Sequence, residues 1–148
     1  MWLKKANAWC EHFASDQDKD QVVGVQDGYL RLKDPVLHKR TLELDKNENR
    51  LVIEDHLECR GGHEIERFWH FCECCRVWQE GSCIWAENNG AKICLQCSDA
   101  KLELVWGQVD PPLGWVSRRF DYKEPTWTAV CKTSIQGETT LRTVFYLE

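Results

Sequence analysis

Two cysteine pairs, Cys72-x-x-Cys75 and Cys94-x-x-Cys97, stand eighteen residues apart. On spacing alone they read as a four-thiolate zinc site, because Zn²⁺ takes tetrahedral sulfur sets from two such pairs. Two features of the sequence weigh against that. Both pairs fall on alternating, strand-like runs, where residues three apart face opposite sides of a sheet. Arg76 and Ser98 stand where a zinc knuckle usually has glycine. An Asn89-Gly90 hairpin between the pairs would still bring them close. Zinc on Cys72, Cys75, Cys94 and Cys97 therefore stays as the alternative to core and edge thiols.

A second group is suited to binding. Of the eight tryptophans, most should fill a core, but Trp115 lies beside a Pro-Pro loop, where its apolar face could stack on a ligand. Arg118 and Arg119 are adjacent, as are Lys39 and Arg40. His38 and Arg40 share a strand face with Leu42. Adjacent cations are ordinarily a solvated surface. His63 follows Gly61-Gly62, and His70 lies in an aromatic run, places where histidine is commonly a hydrogen-bonded structural residue. No serine or cysteine has a recognisable His-Asp partnership, and no glycine-rich phosphate loop is present. No catalytic residue is assigned.

The elements that must position these residues are short strands. Leu42 and Leu44 alternate with Thr41, Glu43 and Asp45. Leu51, Ile53 and Leu57 share one parity, and Leu102, Leu104 and Trp106 repeat the pattern, as do Leu141, Phe145 and Leu147. Each run can bury one face and wet the other. Turn signals fall between them: Lys46-Asn47-Glu48-Asn49, Gly61-Gly62, Asn88-Asn89-Gly90, Pro111-Pro112-Leu113-Gly114 and Gln136-Gly137. The last reads as a final hairpin. The fold class is therefore all-β, an antiparallel sandwich of two packed sheets with hairpin and Greek-key connections. Residues 1–20 are ambiguous. Trp2, Ala6, Trp9, Cys10 and Phe13 follow helical spacing, and a polar loop over residues 15–20 follows.

Composition bounds the rest. A chain of 148 residues fits one domain, 1–148. The net charge of −5 argues against nucleic acid as a partner, since such binding needs a basic field. No apolar run approaches a membrane span, and the N-terminus lacks the apolar core of a signal peptide. Nine cysteines cannot all pair within one chain, and most are expected to be reduced.

Several stretches, in order, resemble a known family. They are Asp27-Gly28-Tyr29-Leu30-Arg31-Leu32, Asp34-Pro35-Val36-Leu37-His38-Lys39-Arg40, Ile53-Glu54-Asp55-His56-Leu57, Gly61-Gly62-His63, Phe68-Trp69-His70-Phe71 and Pro112-Leu113-Gly114-Trp115-Val116-Ser117. Together they are similar to the C-terminal β-sandwich of heparinase II/III-like polysaccharide lyases, over nearly the whole chain. The resemblance implies a sandwich joined, in full-length members, to a helical toroid. It implies an acidic polysaccharide as ligand, cleaved in those members by β-elimination, and a periplasmic or secreted setting. Trp115, Arg118, Arg119, His38 and Arg40 are then the candidate substrate-binding residues. The family's catalytic His-Asn motif has no counterpart in this sequence. The resemblance also implies a metal held partly by a His just before Asp-Gly-Tyr. Gln26 stands there, and glutamine is a poor ligand, so no cofactor is expected beyond the zinc alternative. The family's first sandwich strands lie upstream, which would leave an edge for a second copy or a toroid domain to cover. The leading reading is a non-catalytic sandwich with a structural or weak acidic-polysaccharide-binding role. The alternatives are a zinc-stabilised interaction module and part of an active lyase whose toroid lies elsewhere.

Overall fold

The computed structural model describes residues 5–148, and among them there is no helix. The strands are β1 (Ala8–Ser15), β2 (Lys19–Gln26), β3 (Leu37–Asp45), β4 (Arg50–Glu58), β5 (Gly62–His70), β6 (Arg76–Glu80), β7 (Cys83–Asn88), β8 (Ala91–Gln96), β9 (Lys101–Trp106), β10 (Trp115–Arg119), β11 (Tyr122–Pro125), β12 (Trp127–Gln136) and β13 (Thr139–Leu147). The fold is all-β and sandwich-like, as the alternating runs predict. The chain gathers into two compact units. Of the described residues, the first holds those up to 64 together with 134–145, and the second holds 65–133 and 146–148.

In the first unit the strands run in the order β1-β2-β3-β4-β13. Alternation places Ile53, Asp55 and Leu57 of β4 on one buried face, with Val25, Ile135, Leu141 and Val144 also buried. The register pairs Leu42 with Ile53 and Arg40 with Asp55, so a charged pair sits one step along from an apolar one. The turn after β3 is built by Asp45, whose Oδ1 accepts from the backbone N–H groups of Asn47 and Glu48 at 3.1 and 3.0 Å. Asn49 takes the positive φ that closes it.

The N-terminal helical spacing is overturned. Residues 8–15 form β1, paired with β2 from Ala8↔Gln26 to Ser15↔Asp20. The register shifts between Cys10 and His12, so Cys10 and Phe13 face Gly24 and Val22, which are two residues apart on the partner. A bulge adds one residue on one strand, so a spacing of three on β1 mimics a helical stripe. Trp2 of that run lies outside the described residues. The Gln136-Gly137 turn also differs from expectation. Gly137 has a positive φ, as a tight turn needs, but β12 and β13 belong to different sheets, so the turn is a crossing and not a hairpin.

In the second unit β8-β7-β6 form consecutive hairpins, β9 pairs with β12, and β10 pairs with β11. The Asn89-Gly90 turn has positive φ at both residues (51° and 84°), as a two-residue hairpin requires. Lys92 and Glu148 exchange backbone hydrogen bonds and fix the last residue to β8. Val77, Ile84, Ala86 and Leu95 are buried on one side, and Ala129, Val130 and Cys131 of β12 are buried too. Cys97, immediately after β8, forms a disulfide with Cys131, with Cα atoms 6.6 Å apart. The bridge joins the β6–β8 hairpins to the β9–β12 ladder. It removes two of the nine cysteines from the free pool, while the other seven are thiols.

A bridge closing a 34-residue separation restricts the unfolded chain by about 3–4 kcal/mol on the loop-entropy model. Thiol titration of the unfolded, unreduced chain should count seven thiols. Reduction should lower the denaturant midpoint by a matching amount, and Cys131→Ala should make the chain insensitive to reductant.

Candidate functional site

The β10–β11 hairpin carries exposed basic and aromatic residues. It is set by its base. Gly107 donates its N–H to the Gly114 carbonyl at 3.1 Å, and Thr126 donates to the same carbonyl at 2.8 Å. Gly114 has φ +75°, and a Cβ there would lie 2.8 Å from both Gly107 N and Thr126 O. Only glycine allows so close an approach of three backbone segments. Trp115 Nε1 donates to the Gln108 carbonyl at 2.7 Å, which orients the indole. At the tip Asp121 adopts φ +57°, and Phe120 is fully exposed.

Two cations of the hairpin face aromatic rings. Lys123 Nζ lies 4.1 Å from the Trp115 ring centre, and Arg119 lies 4.5 Å from that of Tyr122. Such contacts leave the positive charge near the surface, available to a further anion. Arg118 is different. Its Nε and Nη2 donate to both oxygens of Glu73 at 3.0 and 2.8 Å. The Arg118 hydrogen bonds hold the Glu73 carboxyl well down, at about 2, and Glu73 raises the Arg118 pKa in turn. Of the three candidates on this hairpin, Arg119 is exposed, Trp115 is half-buried beneath Lys123, and Arg118 is already paired. Tyr122 and Lys123 complete the arrangement and had no distinguishing spacing.

His38 and Arg40 lie in the first unit, on the β2–β3–β4 face, and both turn to Asp55. Arg40 donates through Nε and Nη2 at 2.7 and 3.0 Å, and His38 Nε2 lies 2.6 Å from Oδ1. Asp55 is 2% exposed. Burial pushes its pKa up, but the hydrogen bonds from His38 and Arg40 and their charges outweigh it and leave the carboxyl below its usual range. An open hollow of about 450 Å³ adjoins the pair, lined by Cys10, Gly24, Gln26 and Leu42 among others. The geometry makes this a structural ion cluster first.

The four cysteines of the zinc alternative are not brought together. Cys72 and Cys75 sit in a turn between β5 and β6, not on a strand as their alternation suggested. Cys72 Sγ is 3.2 Å from both Cys74 and Cys75, and Asn88 reaches Cys72 at 3.5 Å. Cys97 is held in the disulfide and has no thiolate to offer. Cys94 is buried, and burial pushes its thiol up to about 12. With Cys97 bonded to Cys131, Cys72, Cys75, Cys94 and Cys97 do not stand together as a four-thiolate set in this structure. Among the described residues one other donor group does converge: Asp34, Cys59 and His63, whose ligand atoms all lie within 4.8 Å of one another.

Residues 1–143 match the family model described as "Heparinase II/III-like, C-terminal". The chain belongs to that family. Solved structures agree on the fold: heparan sulfate lyase HepC from Pedobacter heparinus (TM-score 0.76, 12% identity) and a heparinase III gene product, BT4657 (TM-score 0.73, 13% identity). Each match covers 95% of this chain and 21% of the other, so the chain spans about a fifth of the length of these lyases. No curated protein sequence matches it.

Within this heparinase II/III-like domain, Gln26 occupies the position where the resemblance implied a metal-binding His. Its Oε1 accepts from Gly28 N at 2.8 Å, and its Nε2 lies 3.4 Å from His38 Nδ1. The amide thus ties the Asp27-Gly28 turn to the Asp55 cluster.

Asp55→Asn removes the charge that pairs Arg40 and His38 and should cost about 1–3 kcal/mol at pH 7, reduced from a fully buried pair because Arg40 is partly solvated. A carboxyl whose folded pKa is depressed gives stability that is fully present above its unfolded value of about 4 and is lost as pH falls through the lower folded value. Denaturation midpoints measured across that acidic range should fall for the native chain, and part of that fall should vanish in Asp55→Asn.

Proposed function

We propose that this heparinase II/III-like domain is a non-catalytic module that contacts an acidic polysaccharide through the β10–β11 hairpin. The observation that carries the reading is the pairing of cations with aromatic faces, Lys123 with Trp115 and Arg119 with Tyr122, on an exposed hairpin. Sulfate and carboxylate groups suit the cations, and sugar rings suit the aromatic faces. The family resemblance supports the ligand class, since solved structures of the same fold include a heparan sulfate lyase and a heparinase III gene product. The catalytic machinery of β-elimination, a base together with a neutraliser for the uronate carboxylate, has no assembled counterpart on the hairpin.

Heparin binding measured by calorimetry should be weak and should fade with salt, as exposed charge contacts do. Arg119→Ala with Lys123→Ala should weaken it about tenfold, near 1.4 kcal/mol. Arg118→Ala should change it less, because Glu73 already holds that side chain. The same mixtures should show no growth of the ultraviolet absorbance of an unsaturated uronate. Binding that ignores the hairpin substitutions, or steady absorbance growth, overturns the proposal.

The partner side of the proposal is a second copy of the chain at β1. Every residue of β1 is exposed, including Trp9 (45%) and Phe13 (70%), and its outer edge has no neighbour among the described strands. An open edge with apolar side chains favours strand pairing, and two-fold dimers are the commonest closed result. Sedimentation over a wide concentration range should show a monomer–dimer equilibrium, shifted to monomer by Phe13→Lys. A compact monomer at every concentration would refute it.

A further inference from the structure

The donor group in the first unit is drawn from three separate stretches of chain. Asp34 lies in the connection between β2 and β3, Cys59 follows β4, and His63 is the second residue of β5. His63 Nε2 lies 2.8 Å from Asp34 Oδ2, and Gly61 donates its N–H to the same oxygen at 2.7 Å. Cys59 Sγ lies 3.1 Å from the Gly137 carbonyl. Gly61 leaves room for this approach, because a Cβ there would lie 2.9 Å from Asp34 Oδ2. The side chains of Asp34 and His63 are only 31% and 17% exposed. An open hollow of about 650 Å³ runs alongside, lined by Asp34, Cys59, Lys33, Glu58 and Arg60 among others.

We propose that Asp34, Cys59 and His63 form a zinc-binding site. Each residue offers one ligand of a type Zn²⁺ takes, a carboxylate oxygen, a thiolate sulfur and an imidazole nitrogen. A thiolate and an imidazole together select zinc over magnesium or calcium, which prefer oxygen alone. In a tetrahedral zinc site neighbouring donor atoms are roughly 3.3–3.7 Å apart. The present separations, all within 4.8 Å and with the His63–Asp34 pair at 2.8 Å, reach that by small side-chain rotations. One Zn²⁺ with one carboxylate, one thiolate and a neutral imidazole carries no net charge, so partial burial leaves no charge uncompensated. Gly61 N–H would remain on Asp34 and orient it, the supporting role that outer hydrogen bonds play around metals. Three protein donors leave a fourth position for water or a small anion. The competing description is a His63–Asp34 ion pair with an unrelated thiol beside it.

Cobalt(II) distinguishes the two, because it reports thiolate ligation and tetrahedral geometry separately. Titrated into the whole, chelator-treated chain kept under a thiol-sparing reductant, it should give one equivalent of visible tetrahedral absorption. A near-ultraviolet sulfur-to-cobalt band should accompany it, and zinc should displace both. Cys59→Ser should abolish the sulfur band. His63→Gln and Asp34→Asn should each weaken cobalt binding at least tenfold, with circular dichroism confirming that the variants fold. Cys72→Ser with Cys75→Ser should leave the spectrum unchanged. No cobalt spectrum, or a sulfur band that survives Cys59→Ser and disappears with the Cys72 and Cys75 substitutions, overturns the site. These readouts are independent of polysaccharide binding.

Discussion

Asp55 is the constraint on which the first unit is arranged. A carboxylate 2% exposed inside a sheet face must be compensated where it stands, because an unpaired charge there costs several kcal/mol. The compensation comes from the next strand: Arg40 directly opposite, and His38 two residues along. A register slip of one residue would send both cations to the other face and strand the carboxylate. The register of β3 on β4 is therefore fixed by charge as well as by the apolar pair Leu42 and Ile53. Gln26 extends the same network to β2 through His38. His38 and Arg40, candidate ligand contacts from sequence, are the two side chains that pair this carboxylate.

The hairpin of the second unit answers to a different constraint, steric and not electrostatic. Gly114 lets three backbone segments meet at the hairpin base, and Trp115 is then held by a single bond to Gln108. Beyond that base the hairpin carries two cations on aromatic rings and nothing buried at its tip. The contact proposed above with an anionic chain rests on those two cations.

Much of the fold was legible because strand alternation is a local signal. The runs around Leu42, Ile53, Leu102 and Leu141 each fell on a strand, and Asn89-Gly90 and Asn47–Asn49 fell at turns. The residue ordering that resembled the heparinase II/III-like domain was legible for the same reason. The helical stripe through Trp9 and Phe13 misled because a bulge changes the period of one strand, which no count of spacings reveals. The cysteine pairs misled for a related reason. Spacing in the sequence says nothing of which thiol meets which, and Cys97 found Cys131 on β12, 34 residues away. Asp34, Cys59 and His63 showed no metal-ligand spacing, since a loop and two strand ends had to converge before they became neighbours. Only Asp55 offered a missed clue: an aspartate on the same parity as Ile53 and Leu57 is a charge asking for a partner.

The turn holding Cys72, Cys74 and Cys75 has a practical consequence. Hydrogen bonds from Cys74 and then Cys75 lower the Cys72 pKa, while Cys72 raises that of Cys74, and burial lifts Cys75 to about 11. Thiolates react with alkylating reagents far faster than thiols do. Within the trio a limiting dose of maleimide therefore modifies Cys72 ahead of its neighbours. Glu73, the next residue, is clamped to Arg118 on β10. A fluorophore at Cys72 sits one residue from the strut that holds the hairpin, and so becomes a reporter of how that hairpin moves.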